Sequence, residues 1–134
     1  QVDLETFFKK TQILSVHLPL TEKTHQMINA NFLSNFKQPI WLINTARGQV
    51  VNTEDLVKAL QRKKVKGAGL DVLEYEKTSS EYLFTNPSQM PDAFKTLIQL
   101  DNVLLSPHIA GWTIESKAKL AQTIVDKIKR DVLD

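Results

Sequence analysis

The sequence predicts an α/β fold, part of a doubly wound, Rossmann-like parallel sheet with helices on both faces. Three observations carry that expectation. Short apolar runs of strand length recur at Ile13–Val16, Ile40–Ile43, Ala68–Val72 and Val103–Leu105. Helical patterns lie between or after them. The central runs are continuously apolar rather than alternating, as in strands of a parallel sheet covered on both sides. At 134 residues, with 42% hydrophobic and 24% charged side chains, the chain has the size and balance of one globular domain.

Leu4-Glu5-Thr6-Phe7-Phe8 suggests a short helix ahead of the first strand, and another short helix is expected after Thr21. The clearest helix follows the second strand. In Thr53–Leu60, Leu56 and Leu60 share a face with Val57 and Ala59 alongside, Asn52 or Thr53 can cap the start, and Glu54 and Asp55 fill the first turn. Arg62-Lys63-Lys64 then reads as its last turn, a charge order that suits the helix dipole. The stretch from 73 to 101 is polar, carries Pro87 and Pro91, and shows no clean period. It reads as a long loop, or as an excursion with a helical turn around Phe94–Leu97; loops of this length are usually functional or mobile. Ile114, Ala118, Ala121, Val125, Ile128 and Val132 recur at steps of three and four, so a final helix is expected from about Thr113 onward.

Composition narrows the function classes. Seventeen Lys and Arg face 15 acids, a net charge of only +2, and the densest basic run is the one that ends a helix, so no nucleic-acid partner is expected. No apolar stretch approaches the ~20 residues of a membrane span, so no membrane partner is expected either. The absence of cysteine excludes disulfides, thiolate metal sites and thiol nucleophiles, and fits a cytoplasmic setting. The chain opens on Gln1 without the layout of a signal peptide and looks like a piece of something longer.

Ligands of open parallel sheets bind beyond the carboxyl ends of the strands. The first strand leads to His17-Leu18-Pro19 and the second to Asn44-Thr45-Ala46-Arg47-Gly48. The third ends at Asp71 and continues to Glu74 and Glu76, and the fourth leads to Pro107-His108-Ile109-Ala110-Gly111. One edge thus gathers an arginine, acids and two histidines. A cation that clamps a carboxylate, beside a His–carboxylate acid/base pair, suits reactions at the carbon next to that carboxylate. Each residue also has a plain structural reading. Arg47 alone reads as a surface loop arginine and His108 as a bonded loop histidine. Asp71 could cap a neighbouring turn, Glu76 could be solvated, His17 could bond backbone or pack, and His25 reads as surface. Gly48 argues for function, since glycine lets a backbone approach a ligand or take positive φ. No metal is expected, because no His-x-x-x-His or EF-hand spacing exists.

Taken in order, four motifs resemble the D-isomer-specific 2-hydroxyacid dehydrogenase family over nearly the whole chain. They are His17-Leu18-Pro19-Leu20-Thr21-Glu22-Lys23-Thr24, Ile43-Asn44-Thr45-Ala46-Arg47-Gly48, Gly69-Leu70-Asp71-Val72 and Ser106-Pro107-His108-Ile109-Ala110-Gly111. Gly111-Trp112-Thr113 and the long loop before the last strand look most like the bacterial D-3-phosphoglycerate dehydrogenase branch. The resemblance implies an enzyme moving a hydride between NAD and a small-molecule 2-hydroxy or 2-keto acid, working as a homodimer. An NAD-sensing, corepressor-type relative without turnover is the alternative it leaves open.

The resemblance also implies roles. Arg47 would grip the substrate carboxylate and carbonyl oxygen. His108 would protonate that oxygen as hydride arrives and take the proton back in oxidation. Glu76 would hold the imidazole and stabilise its protonated form. Asp71 would bond the nicotinamide carboxamide, and Leu18, Thr45, Ala46, Arg47, His108, Ile109, Ala110 and Gly111 would line the cofactor. Two departures stand out. Lys77 follows Glu76 where the family usually has proline, which makes Glu74 a competing partner for His108; the spacing from Asp71 favours Glu76. The only four glycines, at 48, 67, 69 and 111, make no Gly-x-Gly-x-x-Gly turn for a pyrophosphate. Residues 1–134 are therefore expected to be the second half of a dinucleotide-binding domain, without its Gly-rich half and without a substrate domain. In that arrangement the Ile13 strand becomes an open edge that invites self-association, and the isolated piece binds NAD poorly.

Overall fold

The computed structural model describes residues 1–76 and 90–133. Helix α1 (Leu4–Lys10) precedes strand β1 (Ile13–Val16), and α2 (Ala30–Ser34) precedes β2 (Ile40–Asn44). Helix α3 (Thr53–Gln61) precedes β3 (Val65–Leu70), α4 (Asp92–Leu97) precedes β4 (Val103–Leu105), and α5 (Ile114–Ile128) closes the order. The four strands lie in sequence order, β1-β2-β3-β4, and every neighbouring pair is parallel. Parallel neighbours need crossovers, which α2, α3 and α4 supply. All four strand ends therefore fall on one edge, where the residues singled out from the sequence collect.

The helix starts are locally determined. The side chains of Asp3, Asn29, Asn52 and Thr113 accept from the backbone of α1, α2, α3 and α5 respectively. Asp55, inside α3, also accepts the Ala30 N–H at 2.8 Å and so fixes α2 against α3. The faces of α3 follow its apolar spacing, with Leu56, Val57, Ala59 and Leu60 buried. Phe7 and Phe8 of α1 meet Phe32 and Phe36 edge-on or tilted, with centroids 5.0–5.5 Å apart, and pin the first helix to α2 and the turn after it.

One face of the sheet carries the core: Leu14, Val16, Ile40, Leu42, Val65 and Leu70 are buried there with Leu56, Leu60 and Leu97. Burial alternates along β1 and β2 despite their continuous apolar sequence, so Ile13, Trp41 and Ile43, with Leu104 of β4, remain exposed on the other face. The Trp41 ring lies against Gly67, where a Cβ would collide with it. None of the side chains of α5 is buried.

Several boundaries differ from those expected. The short helix expected after Thr21 is α2, but it begins only at Ala30. Thr21 and Thr24 bond each other and nearby backbone through their hydroxyls, holding turns, and the helix waits for the Asn29 cap. Helix α3 stops at Gln61, so Arg62-Lys63-Lys64 is not its last turn. Lys63 takes φ 57°, reversing the chain, and the Lys64 ammonium bonds the Phe36 carbonyl as the chain enters β3. Strand β3 begins at Val65 and leaves Asp71 and Val72 just beyond its end. The helical turn expected at Phe94–Leu97 is α4. Lys77 and Pro87 lie outside the described residues.

Candidate active site

Arg47, Glu76 and His108 line one pocket of about 350 Å³ at the carboxyl edge of the sheet, together with Leu20, Gly48, Gln49, Val72 and Leu73. Each arrives on a different segment. Arg47 follows β2 and precedes a 3₁₀ turn at Gly48–Val50. Glu76 lies six residues past the end of β3, and His108 three past the end of β4.

The histidine ring is held at one nitrogen by a carboxylate that is itself held. Its Nδ1–H donates to Glu76 Oε2 at 3.1 Å, which leaves Nε2 as the nitrogen available to a substrate. The other Glu76 oxygen accepts the Leu73 N–H at 3.1 Å, so the carboxylate is itself oriented before it meets the ring. Glu76 is largely covered and His108 is nearly half exposed, an imidazole that reaches solvent from a held base.

Glu74, the competing partner, is engaged elsewhere. Its Oε1 accepts from the Gln26 amide at 2.5 Å and its Oε2 accepts the Thr53 N–H at 2.7 Å, at the start of α3. It staples the exit of β3 to two other loops. Gly48 likewise has a structural reason: its φ is not positive, and a Cβ there would strike the Leu73 carbonyl and the Glu74 nitrogen. The expectation of a positive φ at this glycine is corrected accordingly; Gly48 lines the pocket and lets the Arg47 loop lie against the chain that carries Glu76.

Asp71 sits beneath the His108 loop. It is 4% exposed, and its Oδ1 accepts from the Ser106 hydroxyl at 2.5 Å and the Ile109 N–H at 2.9 Å, while Oδ2 accepts the Ala110 N–H at 2.9 Å. These bonds bracket His108, whose backbone is left-handed at φ 56°. Burial pushes the Asp71 carboxyl up, but the Ser106 hydroxyl, the Ala110 and Ile109 amides and the His108 charge outweigh it and hold it below the usual carboxylate range. The plain reading of Asp71 as a cap for a neighbouring turn thus describes its contacts here.

Leu18 faces a separate apolar groove with Phe7, Val16, Met27 and Phe32 rather than the pocket. Thr45, Ala46, Ile109, Ala110 and Gly111 are exposed or half-exposed on the same strand-end edge, the place where open parallel sheets bind dinucleotides. His17 bonds the Ser15 hydroxyl at 2.8 Å, not backbone, and His25 is exposed. Leu20 and Gln49 were not singled out from sequence. Leu20 lies inside the His17–Thr24 string, and Gln49 adjoins Gly48, so closeness to the motifs was the available signal.

The sequence profile of the D-isomer specific 2-hydroxyacid dehydrogenase NAD-binding domain matches residues 1–110. The chain belongs to this family. A glyoxylate reductase of Thermofilum pendens is 44% identical over 120 residues, covering 90% of this chain and 32% of that protein. A hydroxypyruvate reductase of Thermotoga maritima is 35% identical over 131 residues, covering 98% and 39%. The NAD-complexed D-isomer specific 2-hydroxyacid dehydrogenase of Lactobacillus delbrueckii ssp. bulgaricus superposes with a TM-score of 0.79 at 36% identity, over 96% of this chain and 39% of that one. The chain thus spans about a third of the length of these relatives. It lies in the family's NAD-binding domain, and its Arg47, Glu76 and His108 meet at one pocket of that domain. Among the described residues, no helix is long and apolar enough to cross a membrane.

Proposed function

We propose that residues 1–134 form the second half of the NAD-binding domain of an oxidoreductase that interconverts a small 2-keto acid and its D-2-hydroxy acid. The observation that carries this reading is the pocket that Arg47 shares with a Glu-held imidazole. When bound, NAD(H) supplies or accepts the hydride. Arg47 presents two parallel N–H donors to the substrate carboxylate and orients the neighbouring carbonyl. His108 Nε2 gives its proton to the carbonyl oxygen in reduction and recovers it in oxidation, while Glu76 holds the Nδ1–H and balances the charge of the imidazolium. Thr45, Ala46 and the Ile109–Gly111 backbone lie where the nicotinamide end of the cofactor would rest.

We read the substrate as a small, unphosphorylated acid. Leu20, Val72 and Leu73 supply apolar walls on this chain's side of the pocket, and among the described residues Arg47 is the one lysine or arginine lining it. The names of the relatives, glyoxylate and hydroxypyruvate reductases, point the same way. The phosphoglycerate reading rests on Gly111-Trp112-Thr113, whose residues are exposed and outside the pocket lining, and on the long loop before the last strand, part of which lies outside the described residues.

The test is a panel of 2-keto acids assayed by nicotinamide absorbance with the full-length protein. Turnover of glyoxylate, hydroxypyruvate or pyruvate above that of phosphohydroxypyruvate is expected. Arg47→Lys keeps the charge but loses the fork, and should lower kcat/KM roughly 10-fold or more, about 1.4 kcal/mol. Intact NAD binding without turnover of any acid would instead indicate the NAD-sensing alternative.

A further inference from the structure

The guanidinium of Arg47 is exposed, and its one described bond, Nη1 to the Ala46 carbonyl at 2.7 Å, is to the peptide just before it. Among the described residues no other hydrogen bond directs it, so the backbone of residues 45–48 sets where it starts from. Asn44, the last residue of β2, is 1% exposed beneath that backbone. Its Oδ1 accepts the Ala46 N–H at 3.1 Å and its Nδ2 donates to the Arg47 carbonyl at 3.0 Å. A single carboxamide therefore grips the Ala46–Arg47 unit at both ends. The Asn44 carbonyl also accepts the Asp71 N–H at 3.0 Å, and the Asp71 side chain clasps the His108 loop.

We propose that Asn44 is a positioning residue that aims Arg47 at the substrate carboxylate and, through its main-chain bond to Asp71, fixes the Arg47 loop relative to the His108 loop. This rests on the reading of Arg47 as the carboxylate clamp. The chemistry of the position is narrow. A carboxylate at residue 44 has acceptors only and would oppose the Arg47 carbonyl, a hydroxyl is too short to span both groups, and a hydrocarbon offers neither bond. A residue serving only to fill the core would not need both a donor and an acceptor at this spacing.

The experiment measures binding rather than turnover. Full-length protein saturated with NADH is titrated with oxalate, an unreactive dicarboxylate, by quenching of the NADH fluorescence. Asn44→Ser and Asn44→Asp should each weaken oxalate about 10-fold, a clearly larger factor than any accompanying change in NADH affinity. In an Arg47→Ala background the same Asn44 changes should add less than about twofold, because the group they aim is gone. Equal factors in the two backgrounds, or a parallel loss of NADH affinity, would overturn the proposal and leave Asn44 as a structural residue. Should Asn44→Asp fail to fold, Asn44→Ser carries the test alone, since the smaller hydroxyl buries no charge. Arg47→Ala with unchanged oxalate affinity would sink the clamp reading itself, whereas a large Arg47→Ala effect beside a silent Asn44 sinks only the positioning role.

Discussion

The loop after β2 and the loop after β4 each deliver a reactive side chain to the same pocket, but they are held differently. The Arg47 loop is tied by a neutral carboxamide three residues back in its own strand. The His108 loop is tied by a carboxylate 35 to 39 residues earlier in the chain, and its imidazole by another 32 residues earlier. The first clasp is local and carries no charge. The second is long-range and charged, so it depends on the packing of β3 against β4 and on pH. A mobile or absent β3–β4 contact would release His108 while leaving the Arg47 loop largely formed.

The largest effect expected from this contrast is at Asp71. Asp71→Ala leaves the Ser106 hydroxyl and the Ile109 and Ala110 N–H groups without their acceptor and frees His108 from its left-handed backbone. Each abandoned buried donor costs about 1–3 kcal/mol, reduced where water can enter, so a total of about 2–4 kcal/mol is expected in urea unfolding. NMR shifts should change strongly around 106–110 and little around 44–48. A loss below about 1 kcal/mol, or equal perturbation of both loops, would remove the distinction between the clasps.

Gly48→Ala tests the contrast from the opposite side, because the local loop also rests on a segment distant in the chain. The added methyl meets the Leu73 carbonyl and Glu74 nitrogen, which are backbone and cannot swing away. A cost of about 1–3 kcal/mol is expected, with displacement of the segment that carries Glu76. A neutral substitution would mean that the Arg47 loop does not rest on the exit of β3.

The same division governs what the sequence could reveal. All four strands were legible as apolar runs, and Asn-Thr-Ala-Arg-Gly was legible as a site because its partners are neighbours. The face assignment was not. Trp41 and Ile43 are as apolar as Ile40 and Leu42, and only packing shows which pair the helices cover. Strand β3 looked shorter than it is because Lys66 interrupts the apolar run, yet it lies at an exposed strand position. The helix expected after Thr21 was displaced by local hydroxyl bonds that compete with helical ones. Glu76 could be preferred to Glu74 on spacing, but the reason Glu74 is unavailable, its bonds to Gln26 and Thr53, spans 48 and 21 residues and has no local signature. Nor could any pattern show that Asp71 holds backbone groups 38 and 39 residues on.

The smallest expected effect is the pH response of the two clasps. The folded Asp71 carboxyl lies below its ordinary value: burial raises it, and the Ser106, Ala110 and Ile109 bonds with the His108 charge lower it by more. A group with a depressed folded pKa contributes stability that is fully present above its unfolded value, about 3.9, and is lost as pH falls through the folded value. The His108 loop should therefore be at full strength near neutrality and weaken below about pH 4. The Asn44 clasp has no proton to gain and should not respond in that window. Comparing urea unfolding of the wild type with Asp71→Asn isolates the term, because the asparagine cannot titrate. The variant should be less stable at pH 7, and the gap should narrow as pH falls from about 4 toward 2.5. Amide protection at Ile109 and Ala110 should decline over the same range relative to Ala46. A gap of constant size from pH 7 to pH 2.5 would show that the Asp71 charge contributes nothing to holding the loop, and the two clasps would then differ in reach alone.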